Sequence, residues 1–275
     1  MQQTMKIGNR LFDLQQHTYI MAILNMTPDS FSDGGSYPTL DDALYRVEQM
    51  LAEGANIIDI GGESTRPGHT AISDEEEISR VAPVIEAVTR RFDVPVSIDS
   101  YKAPVVKAAL ASGAHLVNDI WGLQHDAELA AVIAQAGATC CLMHNKHNTQ
   151  YANLLLECLE SLRHSAETAV AAGVPKENII LDPGIGFGKT CEQNLYLMQQ
   201  LPQFNLLGYP MLLGTSRKSM IGLTLDLPVD QRVEGTLVTT VLAVLAGWNF
   251  VRVHDVKENY RAIKMAEAIC HCKPM

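Results

Sequence analysis

The chain has 275 residues, of which 47% are hydrophobic and 19% charged, so its composition is that of a folded protein and not of a disordered one. The formal net charge of -10 argues against nucleic acid and against anionic membrane surfaces as partners. No apolar run approaches the roughly 20 residues of a membrane span. Six cysteines without a C-x-x-C pair fit reduced thiols, and a cytoplasmic protein is therefore expected.

Predicted strands and helices alternate along the chain without a composition break that would mark a linker. A short hairpin at about residues 6–19, with a turn at Gly8-Asn9, precedes them. Asp255 is predicted to cap the last helix. The eight predicted strands are apolar runs that end at polar residues, and they cover residues 20–25, 57–61, 96–100, 116–120, 138–144, 179–182, 211–216 and 250–254.

Eight β/α units without a linker predict one (β/α)8 TIM barrel domain over residues 1–275. The alternative is an open, doubly wound sheet, which more often has five or six strands and a G-x-G-x-x-G turn after the first. The loop that follows the first predicted strand, residues 26–35, lacks that turn. In a barrel the active site lies at the C-terminal ends of the strands, so polar residues there become the candidates.

The run from Ile179 to Thr190 shows this arrangement most clearly. Asp182 follows three apolar residues, Pro183 ends the strand, and several glycines form an irregular loop. The end of the run, Gly188-Lys189-Thr190, is similar to a Walker A phosphate loop. However, Pro183 stands where that motif needs its first glycine, so a phosphate loop is not favoured.

Polar or charged side chains stand at the end of each predicted strand. Helix capping could explain any one of Asp99, Asp119 and Asp255, but it does not explain polar groups at every strand end on one rim. The pattern therefore predicts a ligand site. Its candidate polar residues are Asn25, Arg66, Asp99, Asn118, Asp182, Ser216, Lys218, Arg252 and His254.

One group of candidates suits a flat heterocycle. Asp99 and Asp182 offer carboxylates, which bind adjacent ring N–H and amino groups bidentately. The amide of Asn118 can donate and accept at the same ring edge. Met143 and Phe187 can supply apolar contacts to the ring faces. These residues predict a binding site for a polar ring.

A second group of candidates suits an anion. Arg66, Arg252 and His254 are cationic or can become so, which fits a ligand such as pyrophosphate. Asn25 could ligate Mg2+ through its side-chain oxygen, and Lys218 lies between the two groups. Two other patterns are less favoured as metal sites. The pair His144-x-x-His147 lacks a helical face, and Cys270-His271-Cys272 lies where a frayed chain end is expected.

Two long loops carry the most specific motifs. The first signature of the dihydropteroate synthase family resembles residues 23–35, ILNMTPDSFSDGG, and its second loop resembles residues 59–68, DIGGESTRPG. Later family motifs are similar, in order, to residues 182–189, 216–219 and 252–254. The resemblance covers nearly the whole chain from residue 20 to residue 255.

The resemblance implies a barrel transferase of folate biosynthesis. Such an enzyme joins para-aminobenzoate to 6-hydroxymethyl-7,8-dihydropterin pyrophosphate, forms 7,8-dihydropteroate and releases pyrophosphate, with Mg2+ as cofactor. It also implies a homodimer through helices late in the barrel. No insertion follows Phe31, so sensitivity to sulfonamide inhibitors is expected.

The resemblance also implies roles for individual residues. Together with the two apolar candidates, the expected pterin site is Asp99, Asn118, Met143, Asp182, Phe187 and Lys218. The expected pyrophosphate site is Asn25, Arg66, Arg252 and His254, with the metal on Asn25, and the sequence leaves open whether Asp33 takes part in the metal site. The expected para-aminobenzoate site is Phe31, Thr65, Pro67, Phe187 and Ser216. The residues expected to act in catalysis are Asn25, Arg66, Lys218, Arg252 and His254.

Two other functions stay open at this point. A pterin-binding methyltransferase-type barrel would share the Asp99, Asn118 and Asp182 set but would lack the two long loops. A non-catalytic pterin-binding barrel would be expected to lose Arg66, Arg252 or His254, and all three are present.

Overall fold

Residues 3–27, 39–63 and 71–272 are described by the structure, a computed structural model. Within these ranges the strands are β1 Thr4–Ile7, β2 Arg10–Asp13, β3 Tyr19–Asn25, β4 Ile57–Gly61, β5 Val96–Asp99, β6 Leu116–Asp119, β7 Thr139–Met143, β8 Ile179–Asp182, β9 Leu212–Leu213 and β10 Phe250–Val253. The α-helices are α1 Leu40–Glu53, α2 Asp74–Arg91, α3 Ala103–Ala111, α4 Leu129–Ala136, α5 Leu154–Ala171, α6 Cys191–Gln199, α7 Leu201–Phe204, α8 Ser219–Leu225, α9 Val233–Leu245 and α10 Val256–Cys270. None of these described helices is long and apolar enough to cross a membrane.

Strands β3 to β10 form one parallel sheet that follows the chain order from β3 to β8 and returns through β10 and β9. The last gap is bridged where Leu181 in β8 meets Met211, and the Leu181 N–H donates to the Pro210 carbonyl at 3.0 Å. The predicted (β/α)8 TIM barrel is therefore confirmed, and the open doubly wound sheet is excluded. All side chains of β4 to β8 are buried, as expected for a sheet covered on both faces.

The hairpin of β1 and β2 closes the barrel at the end where the strands begin. Its Met5, Ile7 and Phe12 are buried in a cluster with the first residues of the barrel strands. The Phe12 ring lies edge-on to Tyr19, with 4.8 Å between centroids, and 5.9 Å from Phe250. The N-terminal end is thus an apolar plug, and the polar groups of the barrel gather at the other end.

Helix α1 begins at a capping box and ends at a glycine. Thr39 accepts from the Asp42 N–H, the Asp42 side chain accepts in return from the Thr39 N–H, and Gly54 ends the helix with φ 110°. The predicted cap of α10 is wrong. Asp255 occupies the N-cap position but makes no capping hydrogen bond, because its carboxylate pairs with the Arg217 guanidinium.

Strand β9 is shorter than predicted, with two residues where 211–216 was expected. The residues after Leu213 leave the sheet. The Thr215 hydroxyl lies 2.7 Å from that of Thr239 in α9, and Arg217 adopts φ 57°. This early departure brings Ser216 and Lys218 over the C-terminal end of the barrel.

Candidate active site

The strand register gathers the predicted heterocycle group on one rim. Asp99 at the end of β5 pairs with Asn118 in β6, and Met143 at the end of β7 pairs with Asp182 in β8. The side chain of each of these residues is at least 95% buried. Their burial at the strand ends makes the rim a recessed polar site.

Asp99 is the centre of a buried polar network. Its Oδ1 accepts from Asn118 Nδ2 at 3.1 Å, and its Oδ2 accepts from Arg252 Nη2 at 2.5 Å. Arg252 Nε also donates to Asp59 Oδ2 at 2.6 Å. Burial raises the pKa of the Asp99 carboxyl to about 7, although the Arg252 cation opposes this shift.

The network joins two groups that the sequence predicts to be separate. Arg252 was assigned to the anion group, but its guanidinium contacts two carboxylates, one of which belongs to the heterocycle group. The side chain is 18% exposed, so part of it still reaches the rim. Arg252 therefore lies between the two predicted regions, and it belongs to both.

Asp59 was missed as a site residue. It lies in the middle of β4, fully buried, and among the described residues its Oδ1 has no hydrogen-bond partner. Its signal in the sequence is an acidic residue inside an otherwise apolar strand, since only a paired carboxylate is stable there. The residue that pairs with it, Arg252, is distant in sequence and could not be identified from spacing.

Asp182 and Lys218 face each other across Gly214. A Cβ at Gly214 would lie 3.6 Å from Asp182 Oδ2 and 3.9 Å from Lys218 Nζ, so the missing side chain leaves room between them. Asp182 Oδ1 accepts from the Gly184 N–H at 2.7 Å. Burial raises the pKa of Asp182, whereas burial lowers the pKa of Lys218 to about 8, and each charge opposes the shift of the other.

An apolar wall borders these polar groups. Met143 clusters with the buried side chains of Tyr101 and Ile120, and Trp121 and Phe187 pack against them. Lys218 Nζ lies 4.5 Å from the centroid of the Phe187 ring. Met143 and Phe187 are therefore placed as predicted, next to the carboxylates. The other three side chains were not predicted, because only the fold brings them to this wall.

His254 and Ser216 lie together on the rim, as their predicted roles require. The Ser216 Oγ lies 3.0 Å from His254 Nδ1 and accepts from the His254 backbone N–H at 3.1 Å. Asn25 ends β3, and its Oδ1 approaches Gly61 beside Asp99 Oδ2. These three residues therefore border the same opening as the heterocycle group.

Part of the predicted site cannot be placed. Phe31, Asp33, Thr65, Arg66 and Pro67 lie outside the described residues. Within residues 3–27, 39–63 and 71–272, no group of three or more His, Cys, Asp or Glu side chains is arranged to hold a metal ion.

The disfavoured pair His144 and His147 separates in the structure. His144 is buried against Lys189, with 2.9 Å between its Nδ1 and the Lys189 Nζ, whereas the His147 ring lies 4.5 Å from that of Trp121. The two rings therefore serve different contacts and do not form a metal pair.

A barrel with buried carboxylates, an amide and a lysine around a recessed apolar wall has the donors and acceptors for a pterin-like ring. The sequence model of a family described as pterin binding enzymes matches residues 21–254 of this chain. The chain therefore belongs to the family of pterin-binding enzymes.

Individual relatives define its place within that family. A dihydropteroate synthase of Clostridium beijerinckii is 57% identical over 96% of this chain and 99% of the relative. A Clostridium difficile dihydropteroate synthase, crystallised with pteroic acid, has a TM-score of 0.91 at 49% identity and covers 94% of this chain and 98% of its own. The Yersinia pestis synthase, in a sulfonamide drug complex, has a TM-score of 0.93 at 42% identity, covering 98% and 100%. The place of the chain is thus among the dihydropteroate synthases, which are transferases of folate biosynthesis.

Proposed function

We propose that this rim holds the two substrates of the dihydropteroate synthase reaction, 6-hydroxymethyl-7,8-dihydropterin pyrophosphate and para-aminobenzoate. The observation that carries the proposal is the recessed set of Asp99, Asn118, Asp182 and Lys218 beside one apolar wall. The hydrogen-bonding groups of these four side chains match those of a pterin ring. Carboxylates accept from ring N–H and amino groups, the amide both donates and accepts, and the ammonium donates to ring acceptors.

The pterin ring would lie between the Asp182–Lys218 pair and the Asp99–Asn118 pair. Both carboxyls are disfavoured as anions by burial, so ring N–H donors would supply the hydrogen bonds that water supplies elsewhere. Met143 and Phe187 would contact the ring faces. The solved relative with pteroic acid, a molecule that contains a pterin ring, supports this placement.

The main barrier of the reaction is the breaking of the carbon–oxygen bond to pyrophosphate, since the arylamine is a neutral nucleophile that needs no strong base. Arg252 and His254 would stabilise the negative charge that grows on the leaving oxygen, together with Arg66. The dihydropterin ring can share the positive charge on its methylene carbon. We therefore propose a dissociative displacement without a covalent enzyme intermediate.

Mg2+ is part of the proposal, and Asn25 would hold it. Among the described residues, no hydrogen bond occupies the Asn25 side chain at the rim, so its amide oxygen is available as a hard ligand. Magnesium is commonly held by few protein oxygens together with substrate phosphates and water, which suits a rim with one such side chain. When bound, the ion would offset charge on the pyrophosphate.

Para-aminobenzoate would bind next to the pterin methylene carbon. Phe187, at the apolar wall, and Ser216, beside His254, would border that position, and Phe31, Thr65 and Pro67 are assigned to the same site by the family resemblance. Sulfonamides would occupy the same place, which the drug complex of the Yersinia pestis relative supports.

The proposal includes a homodimer. Late in the barrel, α8 and α9 present apolar side chains to solvent, with Leu223 71%, Val238 61% and Leu245 59% exposed. Exposed apolar groups on neighbouring helices are typical of an interface.

A cytoplasmic location is also proposed, and it is supported by six cysteines that are all free thiols.

The proposal is tested by a pyrophosphate-release assay. We expect release only when the pterin pyrophosphate, para-aminobenzoate and Mg2+ are all present, with 7,8-dihydropteroate formed in equal amount. Omission of each component in turn provides the controls. Release without para-aminobenzoate would indicate a hydrolase, and pterin binding without turnover would indicate a non-catalytic barrel.

A further inference from the structure

Lys189 is a buried cation whose nearest polar neighbours are neutral groups. The residue is only 9% exposed, and among the described residues no carboxylate lies within salt-bridge distance of its Nζ. Instead, three neutral groups surround the ammonium. They are the carbonyl of Gly184 at 2.9 Å, the carbonyl of Phe187 at 3.0 Å and Nδ1 of His144 at 2.9 Å. Burying an ammonium is costly, so this arrangement needs a reason other than packing.

The backbone after β8 is shaped around this ammonium. Gly184, Gly186 and Gly188 all have positive φ, of 70°, 88° and 56°. A side chain at Gly184 would overlap the His144 carbonyl oxygen. The Walker-like Gly188-Lys189-Thr190 is therefore used differently from a phosphate loop, because its lysine turns inward to the carbonyls of its own loop and Thr190 caps α6.

The outer side of the same loop forms one wall of the proposed pterin site. The carbonyl of Ile185 accepts from Lys218 Nζ at 2.5 Å, and the ring of Phe187 lies under the same ammonium. The Gly184 N–H donates to Asp182. One loop is thus held between two lysines, with Lys189 on its inner side and Lys218 on its outer side.

We infer that Lys189 is a positioning residue for the pterin wall: its ammonium fixes the carbonyls of Gly184 and Phe187, and so places the Phe187 ring and Lys218 beside Asp182. This inference rests on the proposed pterin role of Asp182 and Lys218. His144 provides the third acceptor for the Lys189 ammonium, and it is neutral like the two carbonyls. Burial and the Lys189 charge lower the pKa of His144 to about 3, so the ring is neutral at neutral pH. Because an ammonium has donors only, the contact with Lys189 requires the tautomer with its proton on Nε2 and a lone pair on Nδ1.

The test is the variant Lys189→Met, which keeps an unbranched side chain one atom shorter and removes the three donated hydrogen bonds. We expect the Kd of 6-hydroxymethylpterin, measured by calorimetry, and the KM for the pterin pyrophosphate both to rise at least tenfold. The KM for para-aminobenzoate should rise less than that for the pterin pyrophosphate, because Phe187 is the one residue of this wall that the two proposed sites share. The matched control is Lys146→Met, a nearby lysine whose Nζ contacts Gln150 and Glu157 instead of the loop, and it should leave all three values within twofold.

Two outcomes would overturn the inference. One is pterin affinity in Lys189→Met within twofold of the unaltered enzyme, and the other is an equal loss for both substrates, which a general loss of structure would cause. If Lys189→Met does not fold, His144→Leu replaces it and should raise the pterin Kd three- to fivefold with a smaller rise in the para-aminobenzoate KM. An unchanged pterin Kd would again refute the role. Asp182→Asn, measured in parallel, distinguishes a failure of this inference from a failure of the proposed pterin site. Full pterin affinity in that variant would refute the pterin site itself.

Discussion

At the scale of single residues, the rim depends on charges that are buried before any ligand arrives. Among the residues that the structure describes, the Asp182 carboxylate has one hydrogen bond, from the Gly184 N–H, and a nearby ammonium, but no bidentate partner. Such a carboxylate gains most when a ligand brings two N–H donors, because its desolvation has already occurred. Binding strength should therefore be concentrated in a few side chains.

The variant Asp182→Asn keeps the size of the side chain but removes its charge and turns one acceptor into a donor. We expect the free energy of binding of 6-hydroxymethylpterin to weaken by about 2–4 kcal/mol, as for other buried charge pairs that lose a partner. The fold should survive, because Asp182 lies at the rim. Calorimetry measures the loss, and near-unchanged affinity would remove Asp182 from the pterin site.

The low pKa of His144 predicts how the free energy of unfolding depends on pH. Its pKa is lowered from 6.5 to about 3 in the folded chain, so the unfolded chain binds more protons between these values and stability is lost as pH falls below 6.5. From pH 7 to pH 5 this residue should account for a loss of about 2 kcal/mol. Urea unfolding at both values should show a smaller loss for His144→Gln. An equal loss in the variant would show that His144 titrates normally.

At the scale of elements, one lysine joins four segments. Lys102, just before α3, contacts Glu63 after β4 at 2.7 Å, Glu77 in α2 at 2.8 Å and the carbonyl of Ile72 at 2.9 Å. The hydroxyl of Tyr101 donates to the same Glu63 at 2.8 Å. Glu63 and the Ile72 carbonyl are therefore both held at one ammonium.

Lys102→Met should remove an ammonium that contacts two buried carboxylates, those of Glu63 and Glu77. We expect the free energy of unfolding to fall by about 3–5 kcal/mol, the usual cost of breaking a buried pair from one side. The control is Lys107→Met on the exposed side of α3, which should change stability by less than about 0.5 kcal/mol. Chemical denaturation compares the two variants, and equal small effects would show that Lys102 is screened by solvent.

The elements themselves could be read largely from the sequence, because buried parallel strands are apolar runs and the helices carry capping signals. The exceptions have a physical reason in common. Asp255 pairs with Arg217 and not with its own helix, and the residues after Leu213 bond to α9 and not to the sheet. Likewise, Asp59 gains its role from Arg252, which only the folded barrel brings near, and the inward turn of Lys189 depends on His144 from the neighbouring strand as well as on carbonyls of its own loop.

At the scale of the whole molecule, an apolar patch on α8 and α9 predicts self-association. Val238→Glu would place a charge in the centre of the proposed interface, so we expect monomers in sedimentation velocity where the unaltered chain forms dimers. Leu11→Glu on β2, a side chain 69% exposed in the hairpin, is the control and should leave the dimer intact. A monomeric unaltered chain would contradict the proposed homodimer.

The contact of β3 with β10 has a consequence for how the protein is made. Tyr19 pairs with Phe250, and the ring of the plug residue Phe12 packs against both rings. The first barrel strand therefore cannot complete its pairing until the last strand has been synthesised. At the usual rate of roughly 5–20 residues per second, the stretch between β8 and β10 takes on the order of ten seconds to emerge from the ribosome. During that interval β3 is an unpaired sheet edge, and β8 is one as well until Met211 has emerged. The nascent chain is therefore most vulnerable to aggregation just before its last strand appears.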